Sequence, residues 1–128
     1  MRRLALTAAL LLAGSALPAL AQDAPPPGQR VFRTQCGACH TIEQGGRSGV
    51  GPNLHGIFGS KAGAVPDFSF SEGMKASGIT WDAAQMDRWI ADPKAVLPGT
   101  KMTFPGFKDP RDRTDLIAWL MLETGFQP

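Results

Sequence analysis

Side chains that hold metals are scarce in this sequence: it has two cysteines, two histidines and no tyrosine. A structural zinc site takes four Cys or His ligands. Cys36, Cys39 and His40 stand together, but His55 sits apart in the Gly-rich run Gly51-Pro52-Asn53-Leu54-His55-Gly56, which argues against zinc. Lys and Arg form no stripe or dense cluster, so nucleic acid is excluded as a partner. No alternation of strand and helix patterns surrounds Cys36 and Cys39, which disfavours a thioredoxin-like redox pair. Repeats, a coiled coil and a second domain are also missing, and 128 residues suit one domain.

The only long apolar run is at the N-terminus. Met1-Arg2-Arg3 is a positive start, Leu4 to Leu17 is apolar, and Ala19-Leu20-Ala21 has the form of a small-residue cleavage site. Residues 1–21 therefore read as a secretory signal peptide, with an uncleaved anchor as the alternative. The expected organisation is a signal peptide at 1–21, a flexible Pro-rich lead-in at 22–27 and one folded domain at 28–128. The folded part is expected in the periplasm, with no stable membrane insertion after cleavage. The whole chain has 13 Lys and Arg against 11 Asp and Glu; Arg2 and Arg3 leave with the signal, so the remainder is formally neutral.

Cysteine decides the class. A disulfide between Cys36 and Cys39 would close a very small ring and constrain the chain little. Cys36-Gly37-Ala38-Cys39-His40 instead has the form of a haem attachment site. Two thiols add across the two vinyl groups on one edge of the haem, and the residue after the second Cys supplies the proximal nitrogen. The sequence thus implies one covalent haem c, with Cys36 and Cys39 as tethers and His40 as an axial ligand. Fifteen Gly and eleven Pro predict much loop. A chain this short has a modest core of its own, so the haem is expected to provide much of the surface on which it packs.

A short helix is expected from Gly28 to about Gln35. Thr41 to about Ser77 lacks helical periodicity and reads as one long loop. Thr80 or Asp82 caps a helix ending near Ala91, before Pro93, with Ala83, Met86, Trp89 and Ile90 at helical spacing. Val96 to Phe107 is loop again. The last helix has Asp109 as cap, Pro110 at its first position, and Gly125 as stop. The fold class is all-α, with about three main helices and long loops wrapped around the haem.

The second axial ligand separates an electron carrier from an oxygen binder or enzyme. His55 lies close behind His40 in sequence, and a surface loop position is its simpler account. Met86 and Met121 fall on apolar helix faces, where Met is usually core filler. Met74 stands in the polar run Ser71-Glu72-Gly73-Met74. Met102, in the loop Leu97-Pro98-Gly99-Thr100-Lys101-Met102 stiffened by Pro98 and Pro105, is the favoured candidate by position.

From about residue 26 to 124 the chain resembles class I cytochromes c, in the branch of mitochondrial cytochrome c and bacterial cytochrome c2. The matching runs are Cys36 to His40, Gly49-Val50-Gly51-Pro52-Asn53-Leu54-His55-Gly56-Ile57-Phe58-Gly59, Gly78-Ile79-Thr80-Trp81, and Pro98-Gly99-Thr100-Lys101-Met102-Thr103-Phe104. The resemblance implies a small cytochrome c fold, Met102 as distal ligand, and the Pro52 carbonyl as acceptor for the His40 ring N–H. It also implies Trp81 and Thr100 in the haem environment, and Gly28 and Phe32 packed on the last helix near Leu116 and Trp119. The chain departs from mitochondrial relatives where Trp89 and Phe70 replace tyrosines, Met74 an asparagine and Ser60 an arginine, which removes polar groups near the haem.

The implied function is single-electron transfer without enzymatic chemistry at the iron. As a monomeric carrier the chain would link a quinol–cytochrome c oxidoreductase to a terminal oxidase or a photosynthetic reaction centre. The alternative is a dedicated haem subunit of a periplasmic dehydrogenase. Lys94, Lys101, Lys108 and Arg30 match basic positions around the haem edge in such proteins, whereas Gln35, Ala95 and Asp109 do not. The thinned ring implies weak electrostatic steering of partners.

Overall fold

The computed structural model describes residues 24–128. The expected signal at 1–21 lies outside these residues. Five helices follow in order: α1 Pro27–Gln35, α2 Glu72–Ala76, α3 Ala83–Ala91, α4 Pro93–Val96 and α5 Pro110–Glu123. Among the described residues there are no strands, only one isolated antiparallel bridge between Lys61 and Thr80. The all-α expectation holds, with α1, α3 and α5 as the three longer helices.

Residues 24–26 lead into α1 without regular structure. They are tied to it, since Arg30 donates from its backbone N to Pro26 O and from Nη1 to Pro25 O at 2.6 Å. Pro27 suits the first helical position, where its missing N–H leaves no bond unmade. Gly28 and Phe32, one turn apart, are the buried residues of α1. A methyl group at Gly28 would run into the Asp115 carbonyl and the Trp119 Cβ, so glycine is what lets α1 approach α5. The Phe32 and Trp119 rings then meet at 5.3 Å between centroids.

α5 starts and stops on clear local chemistry. Asp109 Oδ1 accepts from the Arg111 N–H at 2.8 Å, and Pro110 opens the helix. At the other end Gly125 takes φ 79°, and the Phe126 N–H donates back to Met121 O at 3.2 Å. This is a Schellman turn, and it needs a residue free to enter the left-handed region. Leu116, Ile117, Trp119 and Leu120 are buried.

Asp82 caps α3 by accepting from the Gln85 N–H at 2.6 Å, and α3 buries Met86, Trp89 and Ile90. Asp92 ends α3 and caps α4, accepting from the Ala95 N–H at 3.1 Å. Ser71 caps α2 through the Met74 N–H. α2 falls within the segment expected as loop, and α4 occupies Pro93–Val96, where the sequence marked only the end of the preceding helix. The Lys61–Thr80 bridge region, with Trp81 N donating to Ser60 O and Gly59 N to Trp81 O, holds Trp81 inward at 5 % exposure.

Candidate haem-binding site

The sequence between α1 and α5 encloses a cavity of about 430 Å³. Cys36, Cys39 and His40 line one part of it and Met102 another. Pro52, Trp81 and Thr100 also line it, so every predicted site residue faces one space.

The attachment segment continues the turn that ends α1. Cys36 and Gly37 both donate to Phe32 O at 2.8 Å, and Cys39 and His40 both donate to Cys36 O at 3.0 Å. This tight winding brings the two thiols and the imidazole to one wall. No disulfide joins the cysteines, which does not support the disulfide alternative. Burial, with Cys39 adding to it, pushes the Cys36 thiol up to about 11. The thiol therefore stays protonated at neutral pH.

His40 Nδ1 lies 2.8 Å from Pro52 O. A carbonyl only accepts, so Nδ1 carries the proton and Nε2 keeps its lone pair. Burial holds the His40 pKa below its ordinary value, partly offset by the Pro52 bond, so the ring is neutral at neutral pH. The backbone rides directly over this ring. A Cβ at Gly51 would stand 2.5 Å from Cε1 and 2.9 Å from Nε2 of His40.

Met102 is half-buried in the loop between α4 and α5. Its N–H donates to Thr100 Oγ1 at 3.2 Å, and Thr100 N donates to Leu97 O at 3.0 Å. Lys101 Nζ donates to Ser69 O at 2.8 Å, tying this loop to the segment before α2. The remaining walls are apolar, with Trp81 and Trp89 edge to face at 5.6 Å. Two further methionines, Met74 and Met86, also line the cavity, at 8 % and 6 % exposure. Met74 is a buried residue of α2 and not part of a polar loop, and Met86 serves the cavity wall as well as the core. Only their apolar character in a chain poor in other cofactor ligands pointed to them. His55 faces elsewhere. Its ring is half-buried against the α5 turn, Nδ1 3.3 Å from Ile42 O, and does not line the cavity.

The residues fit a haem. The cavity has the size usual for a small-molecule site. A neutral imidazole with a free Nε2, a thioether and two cysteine sulfurs share it, and its surroundings are apolar. Among the described residues no buried side-chain nitrogen or oxygen is left without a hydrogen-bond partner.

Comparison with known proteins agrees. Residues 26–122 match the family described as cytochrome c. The chain is 48% identical over 107 residues to cytochrome c2 of Rhodomicrobium vannielii, covering 84% of this chain and 85% of that protein. It is 47% identical over 110 residues to cytochrome c2 of Blastochloris viridis, covering 86% and 85%. Cytochrome c of Ginkgo biloba is 41% identical over 100 residues, covering 78% and 88%. The structure of cytochrome cH from Methylobacterium extorquens superposes with a TM-score of 0.69 at 46% identity, covering 75% of this chain and 95% of that one. Family members carry one covalent haem c and are electron carriers, not enzymes, and the Cys36–Cys39–His40 motif fits that cofactor. The chain belongs to the cytochrome c family.

Proposed function

We propose that this protein is a periplasmic single-electron carrier in which Cys36 and Cys39 tether the haem and His40 and Met102 are its axial ligands. The observation that carries the reading is the fixed tautomer of His40, whose Nδ1–H is spent on Pro52 O so that Nε2 is the donor left for iron. When bound, the haem supplies a one-electron ferric–ferrous couple, and a thioether ligand raises its potential relative to a second His.

The chain's own residues bind, orient and exclude water. Gly51 and Pro52 clamp the imidazole, and Thr100 fixes the backbone of the Met102 loop. Trp81, Trp89, Leu116 and Leu120 are buried on the walls and keep solvent out. Residues 1–21 act as the export signal, residues 22–27 as a lead-in, and residues 28–128 as the functional domain. The described helices are too short and polar to cross a membrane. Exchange partners are redox proteins: a quinol–cytochrome c oxidoreductase as donor, with a terminal oxidase or photosynthetic reaction centre as acceptor.

Two measurements test this. Met102→Ala should abolish the ferric absorption band that arises from methionine sulfur on iron, while Met74→Leu should retain it; loss in the second and not the first would reassign the ligand. The native mass of the haem protein from its periplasm separates a free monomeric carrier from a subunit bound to a dehydrogenase.

A further inference from the structure

Asp67 lies between Val65 and Phe68, which line the cavity, yet does not line it itself; its carboxylate turns outward to Ser48. The Ser48 hydroxyl donates to Asp67 Oδ1 at 2.6 Å, and the Ser48 backbone N–H donates to Oδ2 at 2.9 Å. Both carboxylate oxygens are thus held by one residue, 19 positions away. The same Ser48 Oγ accepts from the Asn53 backbone N–H at 3.0 Å. That N–H belongs to the peptide unit whose carbonyl, Pro52 O, accepts from His40 Nδ1 at 2.8 Å. A continuous series of hydrogen bonds therefore runs from a surface carboxylate to the half-buried imidazole.

We infer that Asp67 is a positioning residue for His40, acting through the Ser48 hydroxyl and the Pro52–Asn53 peptide to set how strongly the imidazole donates. The inference rests on His40 being an iron ligand.

Each link has a physical basis. The O–H···O⁻ distance is that of a charge-assisted bond, among the stronger kinds. The anion increases negative charge on Ser48 Oγ, which draws more strongly on the Asn53 N–H. The peptide is a resonant unit, so a stronger acceptor on its N–H shifts electron density from nitrogen towards its carbonyl oxygen and makes that oxygen a better acceptor. Such polarisation along a series is about 10–30% per bond. A stronger acceptor on Nδ1 raises the basicity of a metal-bound imidazole.

The peptide is also held rigidly. Asn53 is 8 % exposed, and its Nδ2 donates to Thr41 Oγ1 at 2.8 Å and to Glu43 O at 3.1 Å. Its Oδ1 accepts from the His55 N–H at 2.9 Å. Asp67 itself is exposed; the Ser48 hydroxyl and N–H, with Arg47 nearby, hold its carboxyl below the usual range, so it is ionised at neutral pH.

The sign follows. A more basic imidazole favours ferric iron, so breaking the relay favours ferrous. The effect is smaller than the ~10–100-fold attached to direct partners of a metal ligand. The expected shift in the reduced-to-oxidised ratio is about threefold, which at about 59 mV per tenfold for one electron is about 30 mV.

The test uses the holoprotein and three variants: Asp67→Asn, Ser48→Ala and Ser48→Thr. Potential is measured by redox titration, and the His40 Nδ1–H resonance by NMR of the ferrous form. The expected result is a raised potential and an upfield Nδ1–H in both Asp67→Asn and Ser48→Ala, with both restored in Ser48→Thr. Ser48→Ala keeps the Asp67 charge, so it separates the relay from attraction through space. A shift in Asp67→Asn alone, or in neither, overturns the inference. If the His40 ring protons lack the displacement that an overlying haem ring imposes, the ligand assignment itself has failed, and the relay falls with it.

Discussion

A methyl group on Gly51 would press on three atoms of the His40 ring, at 2.5 to 2.9 Å. Ring and backbone cannot both stay where they are. Gly51→Ala should destabilise the holoprotein by about 1–3 kcal/mol, the usual cost of overpacking, read from denaturant midpoints. Asp67 gives a pH prediction with a definite sign. Its carboxyl sits below the usual range, chiefly because the Ser48 hydroxyl donates to it. The folded state therefore binds this proton less readily than the unfolded state. The stabilisation is present above the ordinary aspartate value of about 3.9 and is lost as pH falls through the lower folded value. Comparing Asp67→Asn with the parent by unfolding should show a gap that is constant at neutral pH and closes below about pH 3.9; a gap that widens in acid contradicts it. Cys36, Cys39 and His40 were legible in the sequence because adjacency alone carries their chemistry. The Ser48–Asp67 contact was not, since nothing local in a Gly-rich loop says which residue 19 positions on it will meet.

At the scale of elements, α3 and α5 were legible because capping aspartates begin both and apolar spacing runs through them. The helices α2 and α4 were not. Each is about one turn long, too short for periodicity to register. Their start signals were nevertheless present: Ser71 before Glu72, and Asp92 before Pro93, the latter pair read only as the end of α3. Glycines on two helices should respond oppositely to the same change. In Gly28→Ala the new methyl meets the α5 backbone, which cannot rotate away. A loss of about 3 kcal/mol is expected. At Gly73, in α2, nothing lies within 4 Å of an added Cβ, so Gly73→Ala should gain about 0.5–1 kcal/mol from helix propensity. Thermal unfolding of the two variants checks both signs.

The whole molecule is arranged around its cofactor more than around itself. At about 24 cal/mol per Å³, a 430 Å³ cavity left unfilled would cost about 10 kcal/mol. That equals the entire stability of an ordinary domain, about 5–15 kcal/mol. A Cys36→Ser/Cys39→Ser chain, unable to tether haem, should lose its cooperative unfolding transition and much of its near-ultraviolet circular dichroism. A well-packed, cooperative apoprotein would contradict this. Net charge acts at the same scale. Of the positions expected around the haem edge, Arg30, Lys94, Lys101 and Lys108 are basic and exposed, whereas Gln35 and Ala95 are neutral and Asp109 is acidic. Electron exchange with partners should therefore slow only mildly as salt rises, as stopped-flow rates would show.

The pairing of α1 with α5 brings together the first and last helices of the domain. Everything between them, α2 to α4 and the segment that presents Met102 included, is a single excursion of the chain closed by that pairing. A break in the backbone between the exposed Gln44 and Gly45 would then leave two pieces still clasped. The piece bearing Cys36, Cys39 and His40 would retain the haem, and the piece bearing Met102 would remain docked on it. Continuity of the polypeptide is thus dispensable once the molecule is assembled, and a nicked protein should migrate as one red species on a native gel and as two fragments in denaturant.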